Sequence, residues 1–130
     1  MASDLAGLFE PYVWAWFTET LDAPSPPQVA SWPRIAEGRN TLIFSPTGSG
    51  KTLAAFLWCL NEVFRMGRRQ ELTDEVLVLY VSPLKALNND IQKNLVLPLQ
   101  GIKAMAERMG IDVPEVRSAV RTGDTTQRQR

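Results

Sequence analysis

The sequence contains no histidine, a single cysteine and no net charge, and each of these deficits excludes a class of function. A lone cysteine, Cys59, cannot form an internal disulfide, which fits a reducing compartment, so we predict a cytoplasmic protein. The absence of histidine excludes a Ser/His/Asp triad and a zinc site built from cysteine and histidine. Because fourteen basic residues balance fourteen acidic ones, any contact with nucleic-acid phosphates must be local.

Long apolar runs are also missing. No stretch reaches the roughly 18 residues that a membrane-spanning helix needs, and the N-terminus lacks the basic start of a secretory signal. We therefore expect no membrane partner. The chain has 130 residues, of which 45% are hydrophobic and 22% charged, values that are ordinary for one globular domain of modest size.

Helical and strand-like segments alternate along the chain. We predict helices at residues 11–21, 27–37, 53–64, 83–95 and 97–109, and strands at residues 41–45, 76–81 and 116–121. Pro33 is expected to kink or split the second helix. This order predicts an α/β fold, a parallel sheet with flanking helices. Residues 1–40 form an N-terminal helical region, and residues 41–130 form the first part of the sheet domain.

Three strands are few for a sheet of this type, which has about 5–6 strands on average. We therefore expect the fold to be incomplete at its C-terminal end, and the chain to be the front part of a longer protein.

A glycine-rich loop follows the first predicted strand and opens an apolar helix. The loop reads Ser45-Pro-Thr-Gly-Ser-Gly-Lys-Thr52. Gly48 and Gly50 allow the backbone to approach an anion, and the loop N–H groups then point toward it at the positive end of the next helix. Lys51 offers a charge to the β- and γ-phosphates, and the Thr52 hydroxyl can bind Mg²⁺. The pattern predicts a P-loop that binds ATP with Mg²⁺.

The same loop closely resembles motif I of superfamily 2 DEAD/DEAH-box helicases, and three flanking segments extend the resemblance. Ser82-Pro-Leu-Lys-Ala-Leu-Asn88 resembles motif Ia, and Pro24-Ser-Pro-Pro-Gln28 followed by Trp32-Pro33 resembles the Q motif. Arg121-Thr-Gly-Asp-Thr125 resembles the Thr-Gly-Asp motif of members that handle DNA. Together these segments look most like the large helicase-related (Lhr) family. The chain would then be the N-terminal part of its first RecA-like motor domain.

Three positions depart from the family pattern. Ser45 replaces the usual alanine, Ser25 replaces threonine, and Thr126 stands where proline is expected. None of these changes removes a functional group.

The resemblance implies roles for individual residues. In the nucleotide site, Gln28 would recognise the adenine edge, whereas Thr47, Gly48, Ser49, Gly50, Lys51 and Thr52 would hold the phosphates, with Lys51 and Thr52 acting in catalysis. An upstream aromatic, Phe9 or Tyr12, would stack on the base or pack in the core. The nucleic-acid side would be formed by Ser82, Pro83, Leu84 and Lys85 together with Arg121, Thr122 and Asp124. We assign the cluster of Trp14, Trp16 and Phe17 to the core rather than to base stacking.

The implied function is an ATP-dependent helicase or translocase on single-stranded or forked DNA, with RNA or an RNA–DNA hybrid as the alternative. By the same resemblance we expect 3′-to-5′ movement and a role in DNA repair. The acidic Asp-Glu pair that hydrolysis needs is not found after a predicted strand, so we expect it, and the second RecA-like domain, in the remainder of the helicase chain. The chain alone should be inactive.

Two alternatives remain open. The chain could belong to another P-loop enzyme, such as a small-molecule kinase or a GTPase, or it could be a non-enzymatic fragment that binds nucleotide or nucleic acid. The absence of an Asn-Lys-x-Asp motif for guanine disfavours a GTPase.

Overall fold

The computed structural model describes residues 2–121, with side chains described for residues 4–83 and 88–121. Six α-helices and one π-helical segment account for its regular structure. They are α1 (Ala2–Ala6), α2 (Pro11–Leu21), α3 (Pro26–Ala36), α4 (Lys51–Arg68), α5 (Leu84–Ile91), the π-helical segment (Gln92–Val96) and α6 (Leu97–Arg108). Within this part of the chain, no helix is both long and apolar enough to cross a bilayer.

Helix α2 begins where the sequence predicts, because Pro11 occupies its first turn and needs no N–H acceptor there. The N–H of Glu10, just before the helix, donates to Oδ1 of the buried Asn61 at 2.7 Å. This bond connects the start of α2 to the middle of α4. On its other side α2 packs against α6, so closely that a Cβ on Gly101 would lie 2.0 Å from Nε1 of Trp16.

The core is rich in aromatic side chains and centres on Trp32, which is 0% exposed. The rings of Phe9, Phe17 and Trp14 meet the Trp32 ring edge to face, with centroids 4.9, 5.3 and 6.1 Å away. Trp16 and Phe17 are buried and Trp14 packs against them, which confirms that this cluster belongs to the core. The core contains residues from both predicted regions, 1–40 and 41–130.

Helix α3 starts one residue before its predicted start and is followed by Gly38 at a positive φ of 76°. It runs through Pro33 without being split, although we expected this proline to kink or split the helix. Proline leaves the carbonyl of residue 29 without its helical N–H partner. Val29 is exposed, so water can replace that partner.

Helices α5 and α6 are one continuous helical run joined by the π-helical segment, rather than two separate helices. The wider π turn lets Pro98 lie in the first turn of α6, where its missing N–H is tolerated. The run ends before Gly110, at a φ of 70°, as the sequence predicts.

The three predicted strands are not formed between residues 2 and 121: none of the segments 41–45, 76–81 and 116–121 is a strand. In segment 41–45 exposure still alternates residue by residue, with Ile43 on the core and its neighbours outside, which is the period of a strand. A strand needs ladder hydrogen bonds to a neighbouring segment, and none of these three segments forms such a ladder within the described residues. Several of their large apolar side chains are consequently 80–88% exposed: Leu42, Phe44, Val76, Leu79 and Val81.

Candidate nucleotide-binding site

The glycine-rich loop forms a tight turn between residue 45 and the start of α4. The N–H of Ser49 donates to the carbonyl of Pro46 at 3.2 Å. Gly48 and Gly50 adopt positive φ values of 82° and 84°, in the left-handed region that favours glycine. Gly48 is exposed, and a Cβ there would meet no atom within 4 Å, so the loop is open on that side.

Position 50 requires glycine for a second reason, which is that no space is available for a side chain. A Cβ at Gly50 would lie 2.6 Å from Nε2 of Gln28 and 3.2 Å from Oγ of Ser25. Both neighbours belong to the segment that resembles the Q motif. The loop and that segment are therefore in direct contact, although 22 residues separate Gln28 from Gly50.

Lys51 is half-buried and folds back over the loop, where its Nζ donates to the carbonyl of Ser45 at 2.8 Å. The hydroxyls of Ser45 and Ser49 also contact each other across the turn. These contacts hold the ammonium group at the loop, and among the described residues no carboxylate pairs with it. The charge can therefore pair with an anion bound at the loop.

Helix α4 begins at Lys51 and has 18 residues, so its unbonded N-terminal N–H groups and its dipole favour an anion at the loop. Thr52, half-buried in the first turn, offers one hydroxyl oxygen. Among the residues described, no three acidic, cysteine or histidine side chains cluster as metal ligands. One hydroxyl fits Mg²⁺ as a single protein ligand, because this ion keeps several waters and takes phosphate oxygens as ligands.

Gln28 is 4% exposed, and both ends of its amide contact the protein backbone. Its Oε1 accepts from the N–H of Ser25 at 2.9 Å, and its Nε2 donates to the carbonyl of Gly50 at 3.1 Å. An amide can make four hydrogen bonds, so one N–H and further acceptor capacity are left. Recognition of adenine by Gln28 stays a prediction.

Trp32 is a site residue for which sequence reasoning assigned no role. Its indole Nε1 donates to the carbonyl of Ala54, in the first turns of α4, at 2.8 Å. A signal was present in the sequence, since Trp32 lies one helical turn after Gln28 and therefore on the same face of α3. A buried tryptophan also needs an acceptor for its N–H.

The two candidate base-stacking aromatics lie in the core. Phe9 is 5% exposed and Tyr12 is fully buried. Burial, together with the nearby Glu10 carboxylate, raises the pKa of Tyr12 to about 12. Neither ring is open to a ligand in this conformation.

The predicted nucleic-acid residues lie at the start of α5 and near residue 121. Ser82 is half-buried and Pro83 is exposed, directly before the helix. Leu84 and Lys85 form the first turn of α5; their side chains lie outside the described part of the structure. Arg121 is exposed, whereas Thr122 and Asp124 lie outside the described residues.

Tyr80 connects the segment before Ser82 to α4, the helix that follows the glycine-rich loop. Its ring lies 4.7 Å from that of Phe56 on α4, and its hydroxyl donates to Oδ2 of Asp90 on α5 at 2.8 Å. The segment before Ser82 is thus packed against the helix that carries Lys51 and Thr52.

A sequence model of the DEAD/DEAH box helicase family matches residues 25–129, a range that starts within the Q-like segment and contains the loop. The chain belongs to the DEAD/DEAH box helicase family. This helicase chain is 52% identical over 111 residues to the ATP-dependent helicase Lhr-Core protein 2 of Thermococcus barophilus, a match that covers 85% of the chain. It is 48% identical over 128 residues, 98% of the chain, to the Lhr helicase/probable uracil glycosylase of Mycolicibacterium smegmatis.

A solved structure shows the same helicase architecture. The Mycobacterium smegmatis helicase Lhr bound to ssDNA and AMP-PNP superimposes with a TM-score of 0.83 at 46% identity, over 96% of the chain. The chain spans only 13% and 8% of the length of the two sequence relatives, and 15% of the solved helicase.

Proposed function

We propose that this chain binds the triphosphate of ATP, together with Mg²⁺, at Thr47–Thr52 and drives an Lhr-type helicase that moves on single-stranded DNA. The observation that carries the proposal is the loop itself. Two glycines at positive φ, a lysine held over the turn and an 18-residue helix behind it are the features that bind phosphates at a helix N-terminus.

Each loop residue has a distinct task in this proposal. Lys51 would exchange its bond to the neutral Ser45 carbonyl for a negatively charged phosphate oxygen, which is a stronger acceptor for the ammonium group. The Thr52 hydroxyl would hold Mg²⁺, which when bound neutralises charge on the β- and γ-phosphates. The acidic pair that orients water, and the second RecA-like domain, would come from the remainder of the helicase.

We further propose that segments 41–45, 76–81 and 116–121 form a parallel sheet once further strands of the helicase lie beside them. The support is their exposed apolar side chains and the alternation in segment 41–45. In such a sheet the residues that follow segments 76–81 and 116–121 would share one edge. Ser82, Lys85 and Arg121 could then contact DNA phosphates together, and Thr122 and Asp124 would line the same nucleic-acid side.

The choice of single-stranded DNA rests on the solved relative, which is bound to ssDNA and AMP-PNP. RNA is an outcome that the experiment below distinguishes. The 3′-to-5′ direction, the role in repair and the cytoplasmic location stay predictions.

The test is ATP hydrolysis by the full-length natural protein, measured with and without single-stranded DNA or RNA. Lys51→Ala should lower the rate by about a hundredfold or more, because it removes a charge that stabilises the transferred phosphoryl group. Binding to single-stranded DNA should be retained. Lys103→Ala, an exposed lysine on α6, is the matched control and should behave as wild type.

Two results would refute the proposal. Normal hydrolysis in Lys51→Ala would show that the loop does not hold the reacting phosphates. A preference for GTP, or phosphate transfer to a small acceptor, would place the chain among other P-loop enzymes.

A further inference from the structure

Helix α3 holds the start of α4 through two side-chain hydrogen bonds that have the same spacing on both helices. Gln28 and Trp32 are four residues apart on α3, and the carbonyls that they bind, Gly50 and Ala54, are four residues apart on α4. Each pair therefore spans about one helical turn. Lys51 and Thr52 lie between the two bound carbonyls.

We propose that Trp32 is a positioning residue for the phosphate loop, and that its indole N–H fixes Lys51 and Thr52 for the triphosphate. This inference rests on the proposed function and assigns to Trp32 a part in the same site. The bond at Gly50 holds the residue just before α4, and the bond between Glu10 and Asn61 holds the middle of that helix. The Trp32 bond adds a fixed point one turn past Gly50, and so helps to set the direction of the side chains between Gly50 and Ala54.

The direction of the Trp32 N–H is itself fixed by packing. Trp32 is 0% exposed, and the rings of Phe9 and Phe17 stand nearly perpendicular to its ring, at 77° and 82°. The indole therefore has little rotational freedom, and its N–H can act as a rigid reference for α4.

The bond to the Ala54 carbonyl can be removed with little effect on the stability of the fold, so its effect on the position of α4 can be measured separately. A backbone carbonyl has two lone pairs, and in a helix one of them accepts the N–H four residues on. Loss of the indole N–H therefore leaves the Ala54 carbonyl satisfied, with no buried orphan group. Its removal should consequently affect the position of α4, and with it nucleotide affinity, more than the stability of the fold.

The experiment uses the full-length natural protein and removes the N–H in two ways. Trp32→Phe removes it with part of the ring, and replacement of Trp32 by 3-benzothienylalanine removes it while keeping the ring shape. Trp58→Phe is the matched control, because Trp58 lies on α4 and its ring meets that of Phe9 at 5.5 Å. The dissociation constant of AMP-PNP and the melting temperature are measured for each variant.

We expect both changes at Trp32 to raise the dissociation constant about two- to tenfold, the range that the loss of one neutral hydrogen bond produces. Trp58→Phe should leave affinity within about twofold of wild type, whatever its effect on melting. If the benzothienyl variant binds AMP-PNP as wild type does, packing alone explains Trp32 and the inference fails.

Lys51→Ala, measured beside these variants, separates failure of the inference from failure of the proposed function. Unchanged affinity in both Trp32 variants, with weakened binding in Lys51→Ala, would overturn only the role of Trp32. Unchanged binding in Lys51→Ala would overturn the nucleotide site itself.

Discussion

Replacing Gly50 with alanine tests whether the phosphate loop and the Q-like segment depend on each other, because the new methyl group would enter the space of Gln28. Gly48 provides a matched comparison. Both glycines have nearly the same positive φ, 84° and 82°, but a Cβ at Gly48 meets nothing within 4 Å, whereas a Cβ at Gly50 lies 2.6 Å from Gln28 Nε2.

Both substitutions strain the backbone, but only the one at Gly50 also displaces a neighbouring side chain. Placing alanine in the left-handed region costs roughly 1–2 kcal/mol at either position. At Gly50 the Gln28 amide must also move, and it is buried with hydrogen bonds to both Ser25 and Gly50. Displacing a buried amide from its partners costs about 1–3 kcal/mol, and Gly50→Ala should be less stable than Gly48→Ala by this amount.

Hydrogen exchange is the suitable assay, because it reports local opening of α3 and α4 in the full-length protein. Amides of both helices should exchange faster in Gly50→Ala than in Gly48→Ala. In a Gln28→Ala background most of the extra cost at Gly50 should disappear, since the nearest obstructing atom is gone and only the Ser25 hydroxyl, at 3.2 Å, remains close. Equal effects of the two alanine substitutions, or an undiminished extra cost without Gln28, would refute the reasoning.

Three further predictions concern other parts of the chain. Ser31→Ala should raise the free energy of unfolding by about 0.5–1 kcal/mol, because the buried Oγ of Ser31 has no partner among the described residues and alanine favours a helix. A lower free energy of unfolding in the variant would instead show that this hydroxyl makes a hydrogen bond. Cys59 should be alkylated more slowly in the folded protein than in the urea-unfolded protein, and its rate should rise at a higher pH than that of a free thiol. The reason is that burial, and then the Glu62 carboxylate, raise the pKa of the thiol; identical pH profiles in the two states would contradict this. The isolated 130-residue chain should bind a hydrophobic dye and self-associate, since Leu42 and Phe44 are 80% and 88% exposed; a monomer with a sharp melt would contradict this.

Helix α1 (Ala2–Ala6) was not predicted, whereas the later helices could be predicted from the sequence because their ends carry local signals. Pro11 marks the start of α2, and Gly38 and Gly110 lie just past the ends of α3 and α6 at positive φ. The π-helical segment between α5 and α6 was missed. Its register depends on packing over a long run, and the sequence has no local signal for it.

The strands were a harder case, and the reason is physical. A helix satisfies its own backbone, whereas a strand needs a neighbour from elsewhere in the chain. The apolar run at residues 76–81 shows a preference for burial and does not specify its partner. Between residues 2 and 121 it forms no strand ladder, and Val76, Leu79 and Val81 stay exposed.

The glycine-rich loop could be located from the sequence, but the side chains that hold it could not. The positions of Gly48, Gly50 and Lys51 follow from a local pattern. The bonds from Gln28 and Trp32 each span 22 residues, and they depend on how α3 packs against α4. The sequence predicted Gln28 as a ligand of the base; its contact with the loop backbone became apparent only from the packing.

These two roles of Gln28 constrain each other. One N–H of its amide is bonded to Gly50, its Oε1 already accepts from Ser25, and the side chain is 4% exposed. Adenine could therefore use only the remaining N–H and the remaining lone pair, and it could reach them only after a neighbour of Gln28 moves. If Gln28 does bind the base, the movement that admits adenine occurs at the same amide that holds the carbonyl of Gly50. Binding of the base and the position of Lys51, the residue next to Gly50, would then be linked through one side chain.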